Sequence, residues 1–428
     1  MQLNIEKMIY GGEGIARLPG NEVGPGKSVF VPFVLPGEQV EAEITEDKRS
    51  FARAQLDTII DPSPRRVHPD CRYFQQCGGC HYQHTSYENQ LAIKAEILRE
   101  TLRRTAKLEL PCELRIHGSP PWNYRNRTRL KVQTNPKFAL GYYKFRSHDF
   151  LPIEQCPISS PLINQAIAAL LSKGRVFPDS LHEIEFFTND AADALLMELY
   201  LACGTSATQS EQACEATAGL LPQLRGVSAF EQVREGQFAG PKRLAESDAN
   251  SLQYSVGPSS YKVSAGAFFQ VNRFLLNDLV KIVTEGQSGK LAFDLYAGMG
   301  LFSAVLARSF AQVIAVEASQ TAHADLRENA HPEVKAVRTT TEQFLAKPKF
   351  ARPDLVVADP PRGGMGENVV RSLAQLGAPR LIYVSCDPST LARDLRGLVN
   401  AGYRIEAAHM LDMFPQTFHI ESVFHLAR

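Results

Sequence analysis

Three textures of hydrophobic and polar positions follow one another along the 428 residues. Over the first sixty, short β-rich runs (SVFVPFVL, EQVEAEI, ARAQLDTII) alternate with glycine-bearing turns (YGGEG, LPGNEVGPGKS, LPGE) and no helical period develops. This pattern predicts a small, OB-like β-barrel over residues 1–60. After the proline-bearing linker DPSPRR, Tyr87, Leu91, Ile93, Ile97, Leu98 and Leu102 recur on one helical stripe, predicting a helix over 87–106. Pro111 and Pro120-Pro121 close that region and open a second β-rich stretch, so 61–265 is expected to be a central β-rich domain. From Phe293 onward apolar strands (LAFDLYAG, VIAVEAS, PDLVVADPP, RLIYVSCDP, ESVFHLAR) alternate with amphipathic segments, the mark of a doubly wound α/β domain with a mostly parallel sheet, placed at 266–428. The 87–106 helix is available to pack on it.

Composition changes this picture in one respect. Lys plus Arg number 46 and Asp plus Glu 46, so the net charge is zero, yet the charges are segregated. Residues 1–60 carry net −3, 61–160 net +7, 161–270 net −5 and 271–428 net +1. Between Arg115 and His148 stand eight basic side chains and no Asp or Glu, with Trp122, Tyr124, Tyr142, Tyr143 and Phe145 interleaved. A solvated strand face would account for this. A polyanion-binding surface, with aromatic rings stacking on bases, accounts for the aromatic residues as well, and Arg125, Arg127 and Arg129 are its candidate contacts. The start, MQLNIEKMIYGG, shows no basic and apolar leader, and no apolar run approaches the roughly 18 residues of a membrane span. A cytoplasmic protein without membrane attachment is expected, and nothing in the chain demands an obligate protein partner.

Chemistry gathers at four places. Cys71, Cys77 and Cys80 have the spacing C-x5-C-x2-C and Cys156 follows in EQCPIS, so four thiolates are available for tetrahedral zinc or an iron–sulfur cluster. Phe293–Gly300 (FDLYAGMG) is a strand running into a glycine turn, and Glu317 ends the next strand, where a ribose would need an acceptor. Ser303 stands where a dinucleotide fingerprint needs its third glycine, so adenosylmethionine fits better than a dinucleotide. Asp359-Pro360-Pro361-Arg362 follows a third strand, and Tyr383–Pro388 (YVSCDP) places Cys386 at a strand end before a helix, a position that favours thiolate. Finally DMFPQTFHIE puts Glu421 at the last strand. A thiolate, a carboxylate base and a methyl sulfonium donor are what carbon 5 of a pyrimidine requires. Carbon 5 of uracil is a poor nucleophile until a thiolate has added to carbon 6. A cytosine-5 enzyme would be expected to carry a second cysteine in a Pro-Cys turn, which Pro360-Pro361-Arg362 lacks.

IEKMIYGGEGIAR, CRYFQQCGGCHYQHTSYENQLAIK, YRNR, FFQVN, DLYAGMG, DPPRGG, SCDPSTLARDL and DMFPQTFHIE stand here in order. The chain thereby resembles, over nearly its whole length, the RNA uracil-5 methyltransferases that carry a TRAM domain and an iron–sulfur cluster, closest to the branch acting on 23S ribosomal RNA. The resemblance implies a Rossmann-like class I methyltransferase domain behind a TRAM barrel, and a 4Fe-4S cluster on Cys71, Cys77, Cys80 and Cys156. It also implies Cys386 as nucleophile, Glu421 as base, and contacts to S-adenosyl-L-methionine from Gln270, Tyr296, Glu317 and Asp359. Ribosomal RNA is the substrate it favours, with the T-loop uridine of transfer RNA as the alternative. A non-catalytic iron–sulfur RNA-binding assembly factor is the reading from another class. The sequence departs from the family's usual pattern at Ala297, Leu301 and Asp387, none of which removes a reacting group.

Overall fold

A computed structural model describes residues 1–18, 26–172, 177–232, 242–346 and 351–428; the turn predicted at 18–28 lies mostly outside them. Six short strands between Gln2 and Asp61 form the N-terminal sheet, antiparallel except where Ser28–Pro32 runs beside Phe51–Asp61. Its alternating small and β-branched positions, Val29, Val31, Val40, Ala42, Ala52 and Ala54, turn inward on one compact core.

The expected helix forms over Tyr87–Thr101, started by Ser86, whose hydroxyl accepts the Asn89 N–H. It continues through a wider turn at Leu102–Ala106 and stops at Lys107, which takes left-handed backbone (φ 59°). Its stripe of Ile93, Ile97, Leu98 and Leu102 packs against Leu395, Leu398 and Met410 of the C-terminal domain. The next strand, Leu114–His117, pairs in parallel with Arg404–Leu411 and becomes the edge of that domain's sheet. A linear cut at 265 therefore misplaces residues 87–117. Their apolar face and their open strand edge both complete the C-terminal layer, which is 150 or more residues away in sequence.

That sheet has eight strands. Val334–Arg338, Phe310–Glu317, Gly289–Leu295, Leu355–Ala358 and Arg380–Ser385 lie parallel, and Glu421–Ala427 pairs antiparallel with the last of them and with Arg404–Leu411. Both faces are covered, as a parallel sheet requires. Phe293, Leu295 and Val356 enter one core while Ala292, Leu355 and Val357 enter the other. The helix after the glycine turn is only one turn, Ser303–Leu306. The central sheet has seven strands, Arg127–Gln133, Ala139–Tyr143, Phe150–Pro152, Leu181–Thr188, Leu195–Leu201, Leu224–Glu231 and Arg243–Asp248. Among the described residues, no helix is long and apolar enough to cross a membrane.

Candidate active site and cysteine cavity

The parallel strands end together, and their C-terminal loops enclose a cavity of about 590 Å³. Gln270, Tyr296, Glu317, Asp359, Cys386 and Glu421, six residues from six different segments, all line it. One side is the glycine turn. Tyr296, Gly298 and Gly300 have φ of 62°, 56° and 94°, and space for a Cβ is open at Gly298, so a ligand can approach the backbone there closely. Glu317 accepts the N–H of Gly298 at 2.9 Å and that of Ser319 at 2.6 Å. A carboxylate has about four lone-pair sites, so capacity remains for a hydroxyl pair. The Tyr296 hydroxyl is buried and without a protein partner. An unsatisfied buried hydroxyl, free lone pairs and a cleared glycine turn fit a polar ligand such as the methyl donor.

The other side carries the reacting groups, and strand register brings them together. Arg380–Ser385 and Glu421–Ala427 are antiparallel with Ser385 opposite Ser422, so one step further Cys386 faces Glu421. Asp359 ends the neighbouring strand, and Gln270 donates to it at 3.5 Å. Burial pushes Asp359 up to about 7, with the nearby Asp294 carboxylate adding to the shift. Asp294, also buried and bonded by Ser303 at 2.5 Å, is likewise pushed up to about 7. Glu421 is held well above the usual carboxylate range by burial and by Asp359. Among the described residues, none of these three carboxyls forms a salt bridge.

One expectation is reversed. Cys386 precedes the helix Pro388–Asn400, but Asp387 occupies the N-cap and takes the amides of Ser389 and Thr390, each at 2.9 Å. The helix N-terminus is thus satisfied by a carboxylate, a cap typically worth about 1 kcal/mol. Burial, Glu421 and Asp359 push the Cys386 thiol up to about 12, and only Arg362 pulls against them. The surroundings of Cys386 therefore favour thiol over thiolate.

Sequence reasoning missed further lining residues. Arg362 reaches the ring of His419 (Nη2 to Nε2, 3.3 Å), and both line the cavity with Phe268, Ser319 and Phe414. Phe268 is 69% exposed at the mouth. The signal for His419 and Phe414 was present in DMFPQTFHIE, since an aromatic-rich run without strand or helix period has to be held by something other than a core. From the N-terminal sheet, the YGGEG turn brings Tyr10 edge-on to Phe418 at 5.4 Å, with its hydroxyl near Asp387 and Cys386.

Cys71, Cys77, Cys80 and Cys156 line a second, smaller cavity of about 60 Å³ with Arg125 and Tyr142. Gly79 donates its N–H to Cys77 Sγ at 3.4 Å, and Asn164 holds the Cys156 backbone through its N–H at 2.8 Å. Burial raises the thiols of Cys71 and Cys77, Cys77 to about 11. Among the described residues, no three His, Cys, Asp or Glu side chains are grouped as a single metal ion would need.

The three arginines expected at an RNA face also make contacts within the protein, and Arg129 stays half-exposed. Arg125 lines the cysteine cavity. Arg127 lies over the Phe187 ring at 4.5 Å, donates to Ala267 O at 2.6 Å and pairs with Glu185 and Glu198 at 3.3 and 3.8 Å. Arg129 pairs with Glu185 at 2.5 Å and with Glu183 at 3.4 Å, and bonds the Tyr200 hydroxyl at 2.7 Å. Tyr124 is fully buried, and Phe145 packs on Phe33 at 4.8 Å. These groups are engaged within the protein because the adjacent strand, Leu181–Thr188, supplies the acids that the 115–148 stretch lacks.

Residues 86–428 match the family described as tRNA (Uracil-5-)-methyltransferase, and residues 2–56 match the TRAM domain. The chain is 32% identical over 442 residues (99% of it, 92% of the relative) to the 23S rRNA (uracil(1939)-C(5))-methyltransferase RlmD of Pseudomonas putida. Its identity to the RlmD of Salmonella choleraesuis is 33% over 429 residues (96% and 92%). The solved tRNA (uracil-54, C5)-methyltransferase of Pyrococcus abyssi, in complex with S-adenosyl-L-homocysteine, covers the whole of both chains at a TM-score of 0.76 and 23% identity, which shows the shared fold. With a thiol and a carboxyl facing each other across the donor cavity of such a fold, the chain belongs to the tRNA (Uracil-5-)-methyltransferase family, enzymes that methylate carbon 5 of uracil in RNA using S-adenosylmethionine.

Proposed function

We propose that this enzyme methylates a uridine of 23S ribosomal RNA in the cytoplasm, with Cys386 as nucleophile and Glu421 as base. The observation that carries the residue roles is their opposition at the end of one antiparallel strand pair, inside the cavity that also holds Gln270, Tyr296, Glu317 and Asp359. These four would hold the donor: Glu317 at a hydroxyl pair, Tyr296 through its unsatisfied hydroxyl, and Gln270 and Asp359 on the side of the reacting base. When bound, the donor supplies an electrophilic methyl group. The Cys386 thiol passes its proton to the neighbouring Asp359 carboxylate as its sulfur adds to carbon 6, and the displaced electron pair of the carbon 5–carbon 6 double bond makes carbon 5 nucleophilic. Once carbon 5 carries the methyl group, Glu421 takes its remaining proton, the pair left behind forms the carbon 5–carbon 6 double bond, and the carbon–sulfur bond breaks to return the thiolate. A carboxyl held above its usual range is suited to receive that proton. The base must leave any stack to enter the cavity.

The ribosomal substrate is supported by the named relatives, each similar over nearly the whole chain. The alternative is the transfer RNA uridine that the family's description names. A non-catalytic assembly factor has no use for Cys386 facing Glu421. Mapping 5-methyluridine in both RNAs from a strain lacking the protein decides the substrate. Loss from ribosomal RNA alone, restored by the wild-type gene and not by Cys386→Ala, is expected; loss from transfer RNA alone would overturn the ribosomal reading.

We also propose that Cys71, Cys77, Cys80 and Cys156 hold a 4Fe-4S cluster. What supports this is four thiols disposed around one cavity, with Arg125 as counter-charge to a thiolate-ligated cluster. Such a group would tie Cys71–Cys80 to Cys156 as a staple, and the methylation itself moves no electrons through it. Anaerobic protein should be brown and contain iron and sulfide; colourless protein with stoichiometric zinc would refute the cluster.

A further inference from the structure

Glu421 reaches the active site at the end of residues 412–420, a loop outside the strands that flank it. The loop is held from elsewhere in the chain. His81 and Tyr82, the two residues after Cys80, both donate their backbone N–H to Gln416 O, at 2.7 and 3.0 Å. Tyr124, next to cavity-lining Arg125, donates its hydroxyl to Pro415 O at 3.1 Å. Gln90 exchanges a reciprocal pair with Gln416, side-chain amide to side-chain oxygen at 2.9 Å and backbone N–H to side-chain oxygen at 3.0 Å. Fully buried Lys94 bonds the Asp412 carboxylate at 2.6 Å and Phe414 O at 3.0 Å. Gln416 itself stands at φ 68°, a conformation a side-chain-bearing residue keeps only when surrounding bonds over-determine it. The cysteine-bearing segment therefore forms a wall that holds the loop leading to Glu421, and the contact runs through the carbonyl pair Pro415–Gln416.

We propose that the cysteine cavity positions the base: filling it fixes Cys80–Tyr82, whose amides hold Gln416 and so set where Glu421 stands when the carbon 5 proton has to leave. This rests on the cluster and on the role of Glu421 proposed above. Cys386 does not depend on the same wall. It is placed by the sheet register of Arg380–Ser385 and by the capped helix that follows. Emptying the cavity should consequently spare addition to carbon 6 and methyl transfer, and slow elimination. Displacements of about 1 Å can cost on the order of 100-fold in rate, so the step that depends on Glu421 should fall by that order.

The experiment compares anaerobically purified enzyme, assayed for iron and sulfide, with enzyme stripped by ferricyanide and EDTA, and with loaded Gln90→Leu. Hydrogen exchange across 411–421 and the amount of RNA–protein adduct on a denaturing gel are the readouts. Stripping is expected to speed exchange in 411–421 while the strands Gly289–Leu295 and Phe310–Glu317 stay protected, and to leave methylated RNA bound to Cys386. Loaded Gln90→Leu, which loosens Gln416 without touching the cavity, is expected to accumulate the same adduct. If iron is present and stripping leaves both exchange and adduct unchanged, or if loaded Gln90→Leu releases product at the wild-type rate, the coupling is wrong while the cluster stands. Protein that never contains iron or sulfide sinks the cluster and this proposal with it.

Discussion

Two groups of buried carboxylates occupy this molecule, and they are treated in opposite ways. In the central sheet, Glu183, Glu185 and Glu198 are met by Arg127, Arg129 and Lys131 on the adjacent strand, with Tyr200 donating its hydroxyl to Glu198. Burial still raises the carboxyl of Glu198, against the pull of Arg127. At the candidate catalytic cavity Asp359 and Glu421 line the wall and Asp294 is buried outside the lining; none has a salt-bridge partner among the described residues, and Asp359 and Glu421 both lie near Cys386. Burying a carboxyl without a cation is costly, and a fold does it where a ligand or a proton is to supply what is missing. Paired charge here is architecture, and unpaired charge marks the chemistry. The cationic methyl donor is the ligand that would complete the second group.

The comparison is broken most severely at the base. Glu421→Gln cannot accept a proton, so turnover is expected to fall on the order of 1,000-fold while a covalent RNA–protein adduct accumulates on a denaturing gel. Turnover without adduct would assign the proton elsewhere.

On the paired side, Arg127→Ala should leave Glu198 buried without a cation and Glu185 with Arg129 alone, at a cost of about 3 kcal/mol in urea unfolding. The kcat of the folded fraction should be unchanged. A variant of full stability with weakened RNA binding would return Arg127 to the RNA face.

A smaller effect concerns the thiol. Because burial and two carboxyls raise Cys386 to about 12, its alkylation by iodoacetamide in the free enzyme should be slow at neutral pH and climb about tenfold per pH unit through the alkaline range. The cationic donor should speed it and S-adenosylhomocysteine should not. A plateau near neutral pH would mean that the thiolate is already present at rest.

The smallest is a shift of stability with pH. Burial holds His81, His84 and His409 neutral, each lowered to about 4. Between about 6.5 and 4 the unfolded chain therefore binds more protons than the folded one. Stability from these residues is complete above about 6.5 and declines as pH falls through that window. A Tm that is flat from pH 7 to 5 would contradict the burial of these rings.

Much of this was readable in the chain. Alternating apolar strands and amphipathic helices specified a doubly wound sheet, and strand-end positions specified where Tyr296, Glu317, Asp359 and Cys386 would gather, because loops at the carboxyl ends of parallel strands converge on one edge, whereas Gln270 came from the family resemblance and Glu421 from its place beside the last strand. The four cysteines announced a common site by their spacing. Three things were not readable. The strand Leu114–His117 completes a sheet far along the chain, because only folding shows which open strand edges meet, although the helix before it was expected to pack on that domain. Thiol reactivity followed neighbours rather than local sequence, since Asp387 takes the helix amides that would otherwise have lowered Cys386. Segregated charge, +7 in one segment and −5 in the next, read as an RNA surface along the chain. Strand pairing set Arg127–Gln133 against Leu181–Thr188 and neutralised each with the other. Periodicity and spacing are local properties, and the sequence alone determines them. Which charge faces which is decided by register across strands, and that exists only in the folded protein.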